Sequence, residues 1–224
     1  MVVTTTDAPV PDKSNVRSMG GLLLALGGIS LLSFPFGAWA HASAGLGQLI
    51  GNELLYWGLV AALLGYVMKV ERRPLSSVGL RRPRWKEWPL AICTGVLILA
   101  CLGLIYYVVF PALHWGENQP LAHIAAIPYW LNCLIVVRAA VSEELLFRGY
   151  AVERLQELTG SRFIAGALSC TVFALDHVGQ WGWHHLVVAG TAGAILTVFY
   201  LWRRNLWASM LVHFVVDAVA FLSP

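Results

Sequence analysis

Seven runs of this sequence are apolar for long enough to cross a lipid bilayer, and that repetition restricts the chain to helices packed in a membrane. The hydrocarbon core needs about 20 apolar residues per helix. Within it, every backbone N–H and C=O must be bonded inside the protein, which a helix does by itself. The runs are 19–39, 48–68, 88–111, 125–147, 162–180, 185–202 and 205–222. Charged residues make up 12% of the chain, against about 25% in soluble domains, so no polar stretch can form a second folded domain. The expected class is an all-α, polytopic transmembrane helical bundle of about seven spans.

Three segments follow from this pattern. Residues 1–18, with Pro9 and Pro11, read as a polar cytoplasmic tail. Residues 19–124 hold the N-terminal transmembrane helices and the basic loop 69–87, and residues 125–224 hold most of the intramembrane polar residues. Ala38-Trp39-Ala40 resembles a small-residue cleavage site, but the polar lead and the apolar run are both long for a signal, so the first span is expected to stay. Cys93, Cys101, Cys133 and Cys170 all sit in apolar runs and are expected to be packing residues.

The basic residues fix an orientation. Lys13 and Arg17 precede the first span; Lys69, Arg72, Arg73, Arg81, Arg82, Arg84 and Lys86 lie between the second and third. Arg148, Arg154 and Arg162 follow the fourth, and Arg203 and Arg204 precede the last. All fall in connections on one side of a seven-span chain. The positive-inside rule then gives a cell-membrane protein with a cytoplasmic N-terminus and an exported C-terminus. The remaining one, Arg138, lies inside a span and requires a partner or a wet cavity. The basic, Trp-containing loop 69–87 reads as a segment lying on anionic membrane lipid, not as a nucleic-acid site.

The chemistry gathers in three places. Glu143 and Glu144 end an apolar run and precede Arg148. An ionised group at the centre of a membrane helix costs about 2.5–3.5 kcal/mol on insertion scales, so a cluster of them must pair or do chemistry. Glu144 and Arg148 stand at i and i+4, in the favourable order for a helix pair. Glu143 lies about 100° round the helix and is left free. The polar string 148–160 extends this helix to a turn at Thr159-Gly160-Ser161. Glu143 and His177 are equally far along the chain from Gly160, so an antiparallel hairpin sets them level. Phe173, one turn before His177, can pack on its ring. In the last run His213 and Asp217 share a face, where a carboxylate can orient the imidazole.

Any one of these residues alone is more often a packing or ion-pairing residue. Together, on three helices, they fit peptide hydrolysis, which needs an activated water and a stabilised oxyanion. Two His and a carboxylate (His177, His213 and Glu143) are also a catalytic zinc set. The same groups serve a metal-free glutamate protease, and both stay open at this point. His184 and His185 read as interfacial residues, and His41, His114 and His123 as loop or interface residues.

Glu-Glu-x-x-x-Arg at 143–148, Phe-x-x-x-His at 173–177 and His-x-x-x-Asp at 213–217 resemble the three motifs of the CPBP intramembrane proteases, also called CAAX protease-like or Abi proteins. The segment from Gly190 to Leu211, with Leu206-Trp207-Ala208-Ser209, is similar to the family's small-residue helix. The resemblance covers about residues 130–222. It implies a membrane endopeptidase with Glu143, His177, His213 and Asp217 catalytic and Glu144, Arg148 and Phe173 supporting. The implied substrate is a peptide or protein with a prenylated or hydrophobic C-terminal segment, and the implied roles are CAAX-type processing, bacteriocin maturation or self-immunity. The family often has Asn where this chain has Asp217, and the extra carboxylate favours metal binding. Two rival classes are a non-catalytic, immunity-like membrane binding protein and a proton-coupled small transporter. The transporter class would want paired broken helices or inverted repeats, which the sequence lacks.

Overall fold

The computed structural model describes residues 13–37, 45–115 and 127–222. Helix α1 runs through 13–37, α2 is Leu46–Val70, α3 is Glu87–Ala112 and α4 runs through 129–159. Then come α5 (Arg162–Asp176), the short α6 (Val178–Trp181), α7 (His185–Arg203) and α8 (Leu206–Leu222). Among the described residues there is no strand. His41, His123, the 38–40 tripeptide and residues 1–12 of the expected tail lie outside the described residues. The first helix already includes Lys13, ahead of the apolar run at 19.

Four helices are long and apolar enough to cross a membrane: Ser14–Leu32 within α1, then α2, α3 and α7. Helix α8 is equally apolar but has 17 residues. Helix α4 carries Arg138, Glu143, Glu144 and Arg148, and α5 has only 15 residues. The helices that fall short are those that hold the polar residues and pack most deeply.

Small residues let these helices approach, as expected where lipid supplies no hydrophobic drive between them. A Cβ on Gly95 of α3 would come within 2.8 Å of Val215 on α8. A Cβ on Gly166 of α5 would reach 3.1 Å from Thr197 of α7. Ala91, Ile98, Leu196, Phe199, Ala208, Val212 and Val216 close the α3–α7–α8 side.

Gly160 turns α4 into α5 with φ of +69°, a backbone state that glycine adopts without a Cβ clash. The Ser161 hydroxyl then caps α5 by accepting from the Ile164 N–H at 3.4 Å. The hairpin arms pack along 144–159 and 162–176, and α5 ends at the level of Glu143. Through 144–152, α4 widens to i→i+5 hydrogen bonding, a feature common at functional sites. There the Ser169 hydroxyl donates to the Phe147 carbonyl at 2.7 Å.

The first half of the basic loop 69–87 is a packed cap. Val78 is fully buried, and the Leu206 N–H donates to the Gly79 carbonyl at 2.8 Å. Arg154 is buried and donates to Glu71 at 2.6 Å, while Tyr150 donates to the same carboxylate at 2.6 Å. Arg73 pairs with Glu157, Arg203 with Glu87 and Arg204 with Glu153. Of the loop's own basic residues Arg73 is paired in this way, while Arg72, Arg81, Arg82, Arg84 and Lys86 are exposed beside Trp85. Arg148 is not at this surface; it is buried inside the bundle.

The Glu71–Arg154 pair ties the cap to α4. Arg154→Ala leaves a buried carboxylate unpaired and is expected to destabilise by about 3–5 kcal/mol. Thermal unfolding in a mild detergent checks this; a melting temperature equal to wild type would show that the pair contributes no stability.

Candidate active site

Glu143, Glu144 and Arg148 come from α4, Phe173 and His177 from the C-terminal end of α5, and His213 and Asp217 from α8. The fold brings all seven together.

Glu144 is the innermost. Its side chain is fully buried. Arg148 Nη1 donates to its Oε1 at 2.8 Å, and His213 Nδ1 donates to the same oxygen at 3.0 Å. The i, i+4 spacing explains the first bond. The second joins residues far apart in the chain, which helix spacing does not reveal. Glu144 is therefore more than a partner for Arg148, because it also fixes the ring of His213. Asp217 sits against the other ring nitrogen, with Oδ2 3.4 Å from Nε2. His213 is thus held between two carboxylates, Glu144 on α4 at Nδ1 and Asp217 a turn away on α8 at Nε2.

Arg148 is held from three sides. Besides Glu144, its Nη2 donates to the Gly193 carbonyl at 3.3 Å, and its guanidinium lies 4.2 Å over the Phe173 ring. Gly193 has to be glycine for this packing, since a Cβ there would come within 2.8 Å of Phe173. Phe173 meets Phe147 edge-on at 5.2 Å and the His177 ring at 4.5 Å.

His177 Nδ1 is 2.7 Å from the Phe173 carbonyl. A carbonyl only accepts, so Nδ1 carries the proton and, in the neutral ring, Nε2 is left as an acceptor. That Nε2 faces Glu143 Oε2 at 3.9 Å. His213 Nε2 faces the same oxygen, also at 3.9 Å. Glu143 Oε2 is buried and accepts no hydrogen bond. Glu143 and His177 therefore meet at one depth of the hairpin, with a gap between them. Their side chains are 15% and 20% exposed, against 0% for Glu144.

Zinc takes His and carboxylate ligands, and Glu143, His177 and His213 would supply them. Tetrahedral ligands at zinc distances stand about 3.3 Å apart, closer than the 3.9 Å separations here. Among the described residues, no group of three or more His, Cys, Asp or Glu is arranged to hold a metal ion.

Other candidates fall elsewhere. Arg138 finds its partner in Glu53 of α2, at 3.1 Å, and lies 4.2 Å over Tyr56. His114 forms a turn after α3 with φ of +54°. His184 stacks on Trp115 at 4.4 Å. His185 is not interfacial as expected. It is buried and lies beside His177. Its position at the boundary of an apolar run concealed this, because α6 folds back and carries the start of α7 into the bundle.

Residues 125–219 match the model of a family described as Rce1-like, type II CAAX prenyl endopeptidase. All seven site residues fall in that segment, so the likeness drawn from the three motifs holds over the residues that carry them. No curated protein and no solved structure matches the chain.

Arg148→Ala strands the buried Glu144 charge and is expected to lower stability by about 3–5 kcal/mol. The measurement is detergent unfolding alongside size-exclusion behaviour. A normal melting profile with lost activity would instead make Arg148 a participant in the reaction.

Proposed function

From the type II CAAX prenyl endopeptidase character of residues 125–219, we propose that this chain is an intramembrane endopeptidase in which Glu143 activates water. We read it as a seven-span protein of the cell membrane with a cytoplasmic N-terminus. Its substrate is a peptide or protein presenting a hydrophobic or prenylated C-terminal segment. The observation that carries the reading is the unpaired Glu143 Oε2, faced at 3.9 Å by Nε2 of both His177 and His213. A water in that gap would have three polar partners.

The reaction follows from these positions. Water donates one proton toward Glu143 and the other toward the Nε2 acceptor of His177. Its oxygen attacks the peptide carbonyl carbon as Glu143 takes the first proton. The carbonyl π electrons move onto oxygen, and an Nε2–H of His213 donates to that oxyanion in the imidazolium form. Collapse re-forms the carbonyl and breaks the C–N bond, while Glu143 returns its proton to the leaving amine. Glu144 and Arg148 hold the His213 ring, and Phe173 holds His177 by its carbonyl and its face. Asp217 competes for His213 Nε2 until substrate arrives. The spacing of the polar atoms supports this metal-free form.

Glu143→Gln and His177→Ala are each expected to lower turnover of a cleaved peptide by about 10²–10⁴-fold, the usual size of general acid–base catalysis, with unchanged melting. Full activity in either variant removes that residue from the mechanism. Glu143→Gln also separates the rival classes, since a non-catalytic binding protein keeps its phenotype in this variant and a proton-coupled carrier loses transport. Wild-type activity is expected to survive prolonged treatment with a strong chelator. Loss of activity that added zinc restores would assign the reaction to a metal centre.

A further inference from the structure

The mechanism above leaves one neighbouring side chain without a role. His185 opens α7, is only 8% exposed, and its buried Nδ1 has no hydrogen-bond partner. Its ring is nearly parallel to that of His177, 14° between planes and 6.1 Å between centroids. On Trp181 it stacks at 4.9 Å, and Trp181 lies 5.9 Å from Phe221 near the end of α8. An aromatic row thus runs from α8 to His177, and Phe173 continues it beyond His177.

Packing does not account for an imidazole in this row. A phenyl ring would stack as well and would bury no polar atom. A buried polar atom without a partner costs about 1–3 kcal/mol, and such groups in folded proteins call for a reason such as catalysis or a missing partner. On the endopeptidase reading, the group suited to a buried nitrogen beside His177 belongs to the substrate. An extended peptide bound beside His177 brings backbone N–H and C=O groups that need partners.

We propose that His185 is a substrate-binding residue of this site, its Nδ1 hydrogen-bonding the peptide backbone beside the bond to be cut. The inference rests on the endopeptidase reading. Nδ1 serves a backbone C=O as a donor or a backbone N–H as an acceptor, according to the tautomer. Because the contact goes to the backbone, it binds the chain without reading its side chains.

The test uses the full-length protein in lipid nanodiscs with quenched fluorescent peptides ending in apolar residues, with and without a prenyl group. His185→Phe keeps the stack and removes Nδ1. His185→Asn sets an amide near the place of Nδ1 and removes the stack. His185→Phe is expected to raise KM tenfold or more while kcat falls less than threefold. His185→Asn is expected to keep KM within threefold of wild type. The opposite order, with His185→Phe normal and His185→Asn impaired, overturns the proposal in favour of packing. A fall in kcat at unchanged KM in both variants also overturns it, since His185 would then act only through His177. If His185→Phe does not fold, the KM of His185→Asn decides alone, and a tenfold rise refutes the contact. If wild type cleaves no peptide of either kind, the endopeptidase reading falls and this inference falls with it; a wild type that cleaves isolates any failure to His185.

Discussion

The site depends on one oxygen atom, Glu144 Oε1, which accepts from Arg148 at 2.8 Å and from His213 at 3.0 Å. A carboxylate in a membrane interior is costly unless its charge is met. Arg148 meets the charge, and because Arg148 is itself bound to Gly193 and laid on Phe173, the requirement spreads. Satisfying one buried carboxylate fixes the relative placement of α4, α5, α7 and α8. His177 and His213 are anchored by the same arrangement: His213 by Glu144 directly, and His177 through Phe173.

This explains why two adjacent glutamates have different surroundings. Successive helix positions point about 100° apart. Glu144 points into the bundle and is sealed. Glu143 points toward His177 and the Nε2 side of His213. Two donors meet at Glu144 Oε1, whereas Glu143 Oε2, like the second oxygen of Glu144, accepts no hydrogen bond. Both Nδ1 atoms are committed as donors, to Phe173 and to Glu144, which turns both Nε2 atoms toward Glu143.

The parts of this site that were legible in the sequence are those set by local geometry. Glu144–Arg148 follows from helix spacing. The meeting of Glu143 with His177 follows from equal chain lengths on either side of Gly160, a residue whose positive φ makes the turn. The illegible parts are contacts between helices distant in the chain. His213 to Glu144, Arg138 to Glu53 and Arg154 to Glu71 each depend on how whole helices rotate against one another, which no periodicity specifies. Length and hydropathy single out four spanning helices for a related reason. Hydropathy marks helices that face lipid, whereas α4 and α5 carry polar residues because they face each other.

The widened turn of α4 ties these observations together. An i→i+5 stretch rotates the residues that follow it relative to a regular helix and leaves carbonyls to be satisfied elsewhere. Here it begins at Glu144, directly after the reactive acid, and the Phe147 carbonyl takes its bond from Ser169 of α5. The same stretch holds Arg148 at the sealed carboxylate and Gly149 where a Cβ would strike the Val78 carbonyl of the cap. The reactive half of α4 is therefore referenced to α5, α8 and the cap at once. A rotation of α4 that relieved any of these contacts would carry Glu143 away from the two Nε2 atoms. The position of Glu143 Oε2 is set by packing on the opposite side of the helix, while that oxygen itself accepts no hydrogen bond.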